Sequence, residues 1–301
     1  CYAVFFSLYT TSVYYSFKNW GSDLGKYVQA FWTTINEGTL FRSNNHVMTA
    51  NPSGSYFGWH FAPILFAFTP FFALWQSAET LLIIKSFAIG LSILALYLLA
   101  RELLKNEGKA LAVAVLYALN PHLLTAQVFD FQEQCLLPLF LFLLYHFYLR
   151  GSALGFFAFT LLSLSVNEFV PLLLVAFFAG LAISDLGLRK ALSRKLLMEK
   201  RGRWLVAASL ISLSWIFLAN AVISSIASVN LSEFFLVPVR AGEAVEIRKM
   251  APSEIVATAF KEPSTMLEAL LYDIWGKALG LLLFVAPLLG IPLLEPCSAL
   301  P

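Results

Sequence analysis

Charge is scarce in this chain. Asp, Glu, Lys and Arg supply 13% of its 301 residues while 59% are hydrophobic, against about 25% and 45–50% in soluble domains. With a mean hydropathy of +0.76, a water-soluble fold could not hide that much apolar surface. A net charge of only +2 leaves no electrostatic footprint for nucleic acid. The three cysteines, Cys1, Cys135 and Cys297, are too widely spaced for a disulfide framework or a metal-finger pattern. The chain also lacks an internal repeat and a low-complexity linker, which excludes a solenoid. It begins inside an apolar stretch with neither a basic n-region nor a small-residue cleavage site. Its first 17 residues therefore read as a membrane helix and not as a signal peptide, and the whole as a fragment of a longer protein.

Long apolar runs are what the sequence has in abundance. Leu81–Ala100, Trp204–Ile226 and Leu279–Leu294 approach or exceed the length that crosses roughly 30 Å of hydrocarbon. None alternates as the strands of a membrane barrel do, so the expected class is all-α. It is a polytopic transmembrane helical bundle forming one domain over residues 1–301. About eight spans are expected, at 2–17, 79–100, 109–128, 134–149, 152–166, 169–186, 204–226 and 268–294. Phe61–Trp75 holds Pro63 and Pro70 and is too short to span, so residues 61–76 are expected to be re-entrant.

With that segment not crossing, Arg101, Lys105, Lys109 and Arg150 share one side with the basic loop 187–203, which carries Arg189, Lys190, Arg194, Lys195, Lys200, Arg201 and Arg203. Short loops rich in Lys and Arg stay in the cytoplasm. The two longer loops, about 18–60 and 227–267, then face outward across the plasma membrane. In the first of them Leu24, Tyr27, Val28, Phe31 and Ile35 recur at helical spacing, with Ser22 as N-cap and Gly38 as C′ stop. The spacing predicts an amphipathic helix at the membrane surface.

Polar groups that interrupt membrane segments ask for a partner or a function. On the outer side these are Asp23, His60, Lys85, Asp130, Glu133, Asn167 and Glu168, from separate stretches of the sequence. Asp23 suits a helix-capping carboxylate or a general base. His60 suits an interfacial anchor, a phosphate donor group or a metal ligand. Asp130 and Glu133 lie three apart, on one face if helical; a solvated turn is the plainer reading. Glu168 follows Asn167 in a short turn. Lys85, about two turns inside its span, either snorkels to the surface or neutralises a lipid-linked phosphate. Arg240, Arg248 and Lys249 are similar candidates in the second long loop. His46, His122 and His146 show no metal-ligand spacing and read as structural. Asn230-Leu231-Ser232 is a glycosylation acceptor pattern that is common by chance.

Ser22-Asp23-Leu24-Gly25, Gln29-Ala30-Phe31-Trp32, His60-Phe61-Ala62-Pro63-Ile64-Leu65, Phe129-Asp130-Phe131 with Glu133, and Asn167-Glu168 together resemble the DUF2079 family of predicted prokaryotic membrane proteins. The resemblance covers about residues 20 to 220. That family in turn resembles the GT-C glycosyltransferase superfamily, which includes protein mannosyltransferases and aminoarabinose transferases. The resemblance implies an inverting transfer of a sugar from a polyprenyl-phosphate donor on the extracytoplasmic side. It implies Asp23 as the base, and Asp130 and Glu133 orienting the acceptor. A divalent cation, if one takes part, would lie at Asp23 and Asp130. It implies His60 and Lys85 on the donor phosphate, with Glu168 also in the substrate site. Desolvation by the membrane is expected to raise the carboxylate pKa values. Charged residues usual in the family are replaced at Val28, Gln132 and Phe169, as a non-catalytic scaffold retaining the fold would show. A transporter or flippase, with the same ionisable residues lining a pathway, is the other alternative.

Overall fold

The computed structural model describes residues 1–19, 21–47, 51–187, 191, 193–227, 235–241, 244–250 and, between 258 and 278, all but 259, 273 and 277. The glycosylation pattern at 230–232 and most of the expected span 268–294 lie outside them.

The membrane part is helical. Helices α1 (Tyr2–Tyr15), α2 (Ser22–Asn36), α3 (Leu65–Leu74), α4 (Ala78–Leu104), α5 (Glu107–Ala118), α6 (Pro121–Val128), α7 (Leu137–Leu149), α8 (Ala153–Leu164), α9 (Val170–Leu186) and α10 (Lys200–Ile226) follow in order. An antiparallel hairpin comes next, β1 (Phe235–Ala241) on β2 (Ala244–Met250), pairing Phe235 with Met250. It lies within the second long loop, where the sequence carries no apolar periodicity strong enough to announce it.

Local chemistry sets the helix starts. Asn106 accepts a hydrogen bond from the Lys109 amide, Asn120 from that of His122, and Ser152 from that of Gly155. Prolines open α6, α7 and α9, where a missing N–H costs nothing. Asn120-Pro121 also divides the stretch expected as one span at 109–128, bending α5 against α6 by 50°. Pro121 cannot donate to the preceding turn, so a single straight helix is excluded there.

Among the described residues two helices, α4 and α10, are long and apolar enough to cross a membrane, and the α5–α6 pair makes a third if it is one broken span. Each of the two has 27 residues, about 40 Å of helix. The remaining apolar helices α3, α7, α8 and α9 are of 10–17 residues. Their outward faces are apolar: Phe87, Leu91 and Leu94 on α4 and Leu210, Leu213 and Phe217 on α10 are exposed, the surface of a protein solvated by lipid. Helix α4 is the central post, packed on α1, α5 and α7, while α8 packs on α7 and α9 on α10. Gly90 lets α1 approach α4 closely, because a Cβ there would lie 2.9 Å from that of Ala3.

The two ends of the bundle differ in chemistry. At one end Glu102 meets His146 at 3.1 Å and Arg150 at 3.2 Å, Asp185 accepts from Tyr148 at 2.8 Å, and Arg201 donates to the Leu149 carbonyl at 2.9 Å. The ends of α4, α7, α9 and α10 therefore meet on one side, the side on which the sequence grouped its basic loops. The other end holds α2, α3 and their loops. Helix α3 is ten residues, about 15 Å, half the hydrocarbon thickness. Its leading flank carries His60, bonded to Glu168, and its trailing flank Gln76, which accepts from Asn36 at the end of α2 at 2.8 Å.

Candidate functional site

Helix α2 is amphipathic as its spacing predicts: Leu24, Tyr27 and Phe31 are buried, Val28 and Ile35 half-buried against the same core. It stops at Gly38, with φ +66°, a backbone that glycine adopts without strain. Its start differs from the expectation. Ser22 is inside the helix, no side chain of its own segment caps it, and Gly21 is the cap residue. The Asp130 carboxylate takes that place from a distant loop, accepting from the Asp23 and Leu24 amides at 3.2 and 3.3 Å, with Asn19 at 3.4 Å. A carboxylate there satisfies orphan N–H groups and meets the positive end of the helix dipole.

Asp130 and Glu133 do not share a helical face. Phe129 and Gln132 have extended backbones (ψ 170° and 141°) and only Glu133–Leu136 forms a 3-10 turn, so the two carboxylates point to different partners. Glu133 is fully buried and accepts from the hydroxyls of Tyr27 and Tyr56, the latter at 2.9 Å, and from Asn167 at 3.3 Å. Burial and the Glu133 charge hold both tyrosine hydroxyls well above the usual range. This carboxylate ties together α2, the loop before α3, and the turn before α9.

Glu168 makes the second tie. Its two oxygens accept from His60 Nδ1 at 2.8 Å and from the Phe61 amide at 2.9 Å, and nearby the Ile64 amide donates to the Ser165 carbonyl at 3.0 Å. Burial pushes the His60 imidazole down, but the hydrogen bond and charge of Glu168, with Glu133 behind, outweigh it and leave its pKa raised.

Asp23, Lys26, Tyr27, His46, Tyr56, His60, Gln132 and Gln134 line a small polar chamber of about 130 Å³. Asp23 is paired with Lys26 one turn on and accepts from Gln132 at 3.1 Å. Burial pushes its carboxyl up, yet these contacts hold it below the usual value; the expected upward shift is not met at this residue. His46 meets Ser43 at 2.7 Å, and burial, with Lys26 and His60 nearby, pushes it down to about 4.

A second chamber of about 340 Å³ lies beyond the 130–134 loop, lined by Lys85, Asp130 and mainly apolar side chains of α4, α6 and α7, and it shares Gln132 and Gln134 with the first. Lys85 is 1% exposed. It does not snorkel to water: its ammonium donates to the Phe129 carbonyl.

Five of the six candidate residues thus come together in one contact network, and Lys85 reaches its edge through Phe129. Lys26, Tyr27 and Tyr56 were not singled out for chemistry; the only hint for Lys26 was its i,i+3 relation to Asp23. Asp23 faces an ammonium and an amide, and Asp130 faces N–H donors, so this pair does not fit a divalent cation. Among the described residues no group of three His, Cys, Asp or Glu side chains is placed to hold one. The side chains of Arg240, Arg248 and Lys249 lie outside the described residues.

The model of a family described as "Predicted membrane protein (DUF2079)" matches residues 13–300. The chain belongs to this family. No curated protein and no solved structure matches it. The contact network of this DUF2079 protein joins the Asp23, His60, Asp130–Glu133 and Asn167-Glu168 stretches on which the resemblance rested, which puts those residues in one place.

Proposed function

We propose that this DUF2079 protein transfers a sugar from a polyprenyl-phosphate donor to an acceptor at the extracytoplasmic face of the plasma membrane, as a GT-C-like glycosyltransferase. One observation carries the reading. Two chambers share the 130–134 loop as a wall, one polar with the Asp23 carboxylate, the Lys26 ammonium and the imidazoles of His46 and His60, the other mainly apolar with the buried Lys85 ammonium and the Asp130 carboxylate in its lining. The first suits a hydroxylated acceptor, since aromatic rings, amides and a carboxylate offer both stacking and hydrogen bonds. The second suits a lipid phosphate, whose charge Lys85 would meet and whose chain the apolar wall would cover.

In this reading Asp23 binds and orients the acceptor hydroxyl. Asp130 acts by fixing the first turn of α2, on which Asp23 and Lys26 sit, and Glu133 by fixing Tyr27 and Tyr56 in the chamber wall. The architecture proposed with it is one membrane domain of about eight crossings, with residues 61–76 re-entrant. The flanks of α3, both tied to the outer elements, support that placement, as does the gathering of basic loops at the opposite end.

The test is sugar release and transfer in nanodiscs from a panel of polyprenyl-phosphate hexoses, hexosamines and pentoses. Asp23→Asn is expected to lower turnover by at least tenfold. Unchanged turnover in that variant removes Asp23 from the site, and no turnover with any donor in the wild-type chain overturns the transferase reading.

A further inference from the structure

Of the titratable groups that line the polar chamber, Lys26 is paired with Asp23, burial pushes His46 down to about 4, and burial beside Glu133 holds Tyr27 and Tyr56 well above the usual range; Asp23 and His60 remain as proton acceptors, and their surroundings set them apart. Asp23 already engages the Lys26 ammonium and the Gln132 amide. A carboxylate stabilised in its ionised form is a weak proton acceptor. His60 is placed differently. A carboxylate only accepts, so the 2.8 Å contact with Glu168 puts a proton on Nδ1 and leaves Nε2 as the nitrogen free for a ligand. The imidazole is 37% exposed at its side chain while Glu168 is 5% exposed. The base therefore faces the chamber and its orienting carboxylate is enclosed behind it. The second oxygen of Glu168 holds the Phe61 amide at 2.9 Å, which fixes the carboxylate against the backbone that carries the ring.

We infer that His60 and Glu168 form a carboxylate–imidazole dyad whose Nε2 is the proton-accepting group of the polar chamber, with Glu168 as its positioning residue. The arrangement has the logic of the dyads that activate nucleophilic hydroxyls, in which a buried carboxylate fixes the tautomer and stabilises the imidazolium that forms. The groups around His60 favour that proton. The carboxyl groups of Glu168, from the turn before α9, and Glu133, from the 3-10 turn before α7, raise the proton affinity of the ring, and Asp23 of α2 shares the chamber. Tyr56, its ring centroid 5.3 Å away, is neutral. Lys26 opposes protonation from α2, and His46, facing the same chamber, is held neutral.

The step rests on the proposed transfer and proceeds within it. The acceptor O–H breaks with its proton going to Nε2, and the oxygen forms the new bond at the anomeric carbon. The bond from that carbon to the lipid phosphate breaks with its electron pair leaving on the phosphate oxygen. Asp23 stays ionised throughout.

The test has two arms on the full chain in nanodiscs. In the first, carbethoxylation of each histidine by diethyl pyrocarbonate, which attacks neutral imidazole, is followed across pH by mass spectrometry. His60 is expected to react with a midpoint above 6.5, the ordinary histidine value, and Glu168→Gln to lower that midpoint with the protein still monodisperse. A midpoint that does not move with Glu168→Gln, or a His60 that never reacts, overturns the dyad. In the second arm, sugar release from a polyprenyl-phosphate donor is followed across pH. His60→Asn is expected to cost about 10²–10⁴-fold, the usual contribution of a general base, and to erase the acidic limb. An acidic limb kept by His60→Asn overturns the base. The dyad shift in the first arm with no turnover in the second supports the dyad as the chamber's proton acceptor and counts against the transferase reading alone.

Discussion

Glu133 offers the sharpest energetic test, because its carboxylate is fully buried and three donors from three elements converge on it. Truncation by Glu133→Ala removes their common acceptor. The hydroxyl oxygens of Tyr27 and Tyr56 lie 2.9 Å apart, so one can turn to the other and stay satisfied. Two donors, the remaining hydroxyl and the Asn167 amide, are then left without partners. Each buried orphan costs about 1–3 kcal/mol, and the relief of no longer burying a charge offsets part of this. The expected loss is about 2–4 kcal/mol. Glu133→Gln keeps one acceptor and loses about 1 kcal/mol. Adding both Tyr27→Phe and Tyr56→Phe to Glu133→Ala recovers part of the loss, since together they remove the orphaned hydroxyl and the only group that depended on it as an acceptor. Unfolding in nanodiscs, followed by fluorescence of the 7 tryptophans, measures all of these. A Glu133→Ala variant as stable as wild type would show that the Glu133 carboxylate does not hold these three elements together.

Three further outcomes follow from the same contacts. Asp130→Ala should cost about 1–2 kcal/mol as the loss of a helix cap, with hydrogen exchange speeding first at the Asp23 and Leu24 amides. Acid should destabilise the chain through His46. Its folded pKa of about 4 lies below the ordinary 6.5, so the unfolded state binds the extra proton. Stability then falls from pH 6.5 towards 4 by about 2–3 kcal/mol at most, and His46→Gln should flatten that limb of a thermal-melt series. Lys85→Met should leave stability unchanged or raised, since a buried ammonium on a single carbonyl gives way to an apolar side chain of similar length. In a lipid-phosphate binding titration the same variant should bind at least tenfold more weakly.

Much of this was legible in the sequence because the signals are local. Apolar runs gave α4 and α10, helical spacing gave the buried face of α2, and Gly38 its stop. Two prolines and a short run gave the weak α3 segment. What escaped depends on partners far along the chain. Ser22 satisfied every local rule for a cap, yet Asp130, more than a hundred positions on, supplies it. Tyr27 read as one more residue of an apolar stripe, since nothing nearby in sequence shows that its hydroxyl meets Glu133. Lys85 looked free to snorkel only while Phe129 was not known to lie against it. The division at Asn120-Pro121 was readable: a proline with an Asn cap is a helix start, and the apolar length of 109–128 masked it.

In the proposed arrangement, residues on both sides of α3 meet in one chamber at one face of the membrane. With the native cysteines replaced, single cysteines at 26, 134 and 203 in sealed cells can be labelled by a membrane-impermeant maleimide. Positions 26 and 134, both lining the chamber, are predicted to label from outside, and position 203 only after permeabilisation. Labelling of 26 and 134 from opposite sides would contradict the chamber and the placement of α3 together.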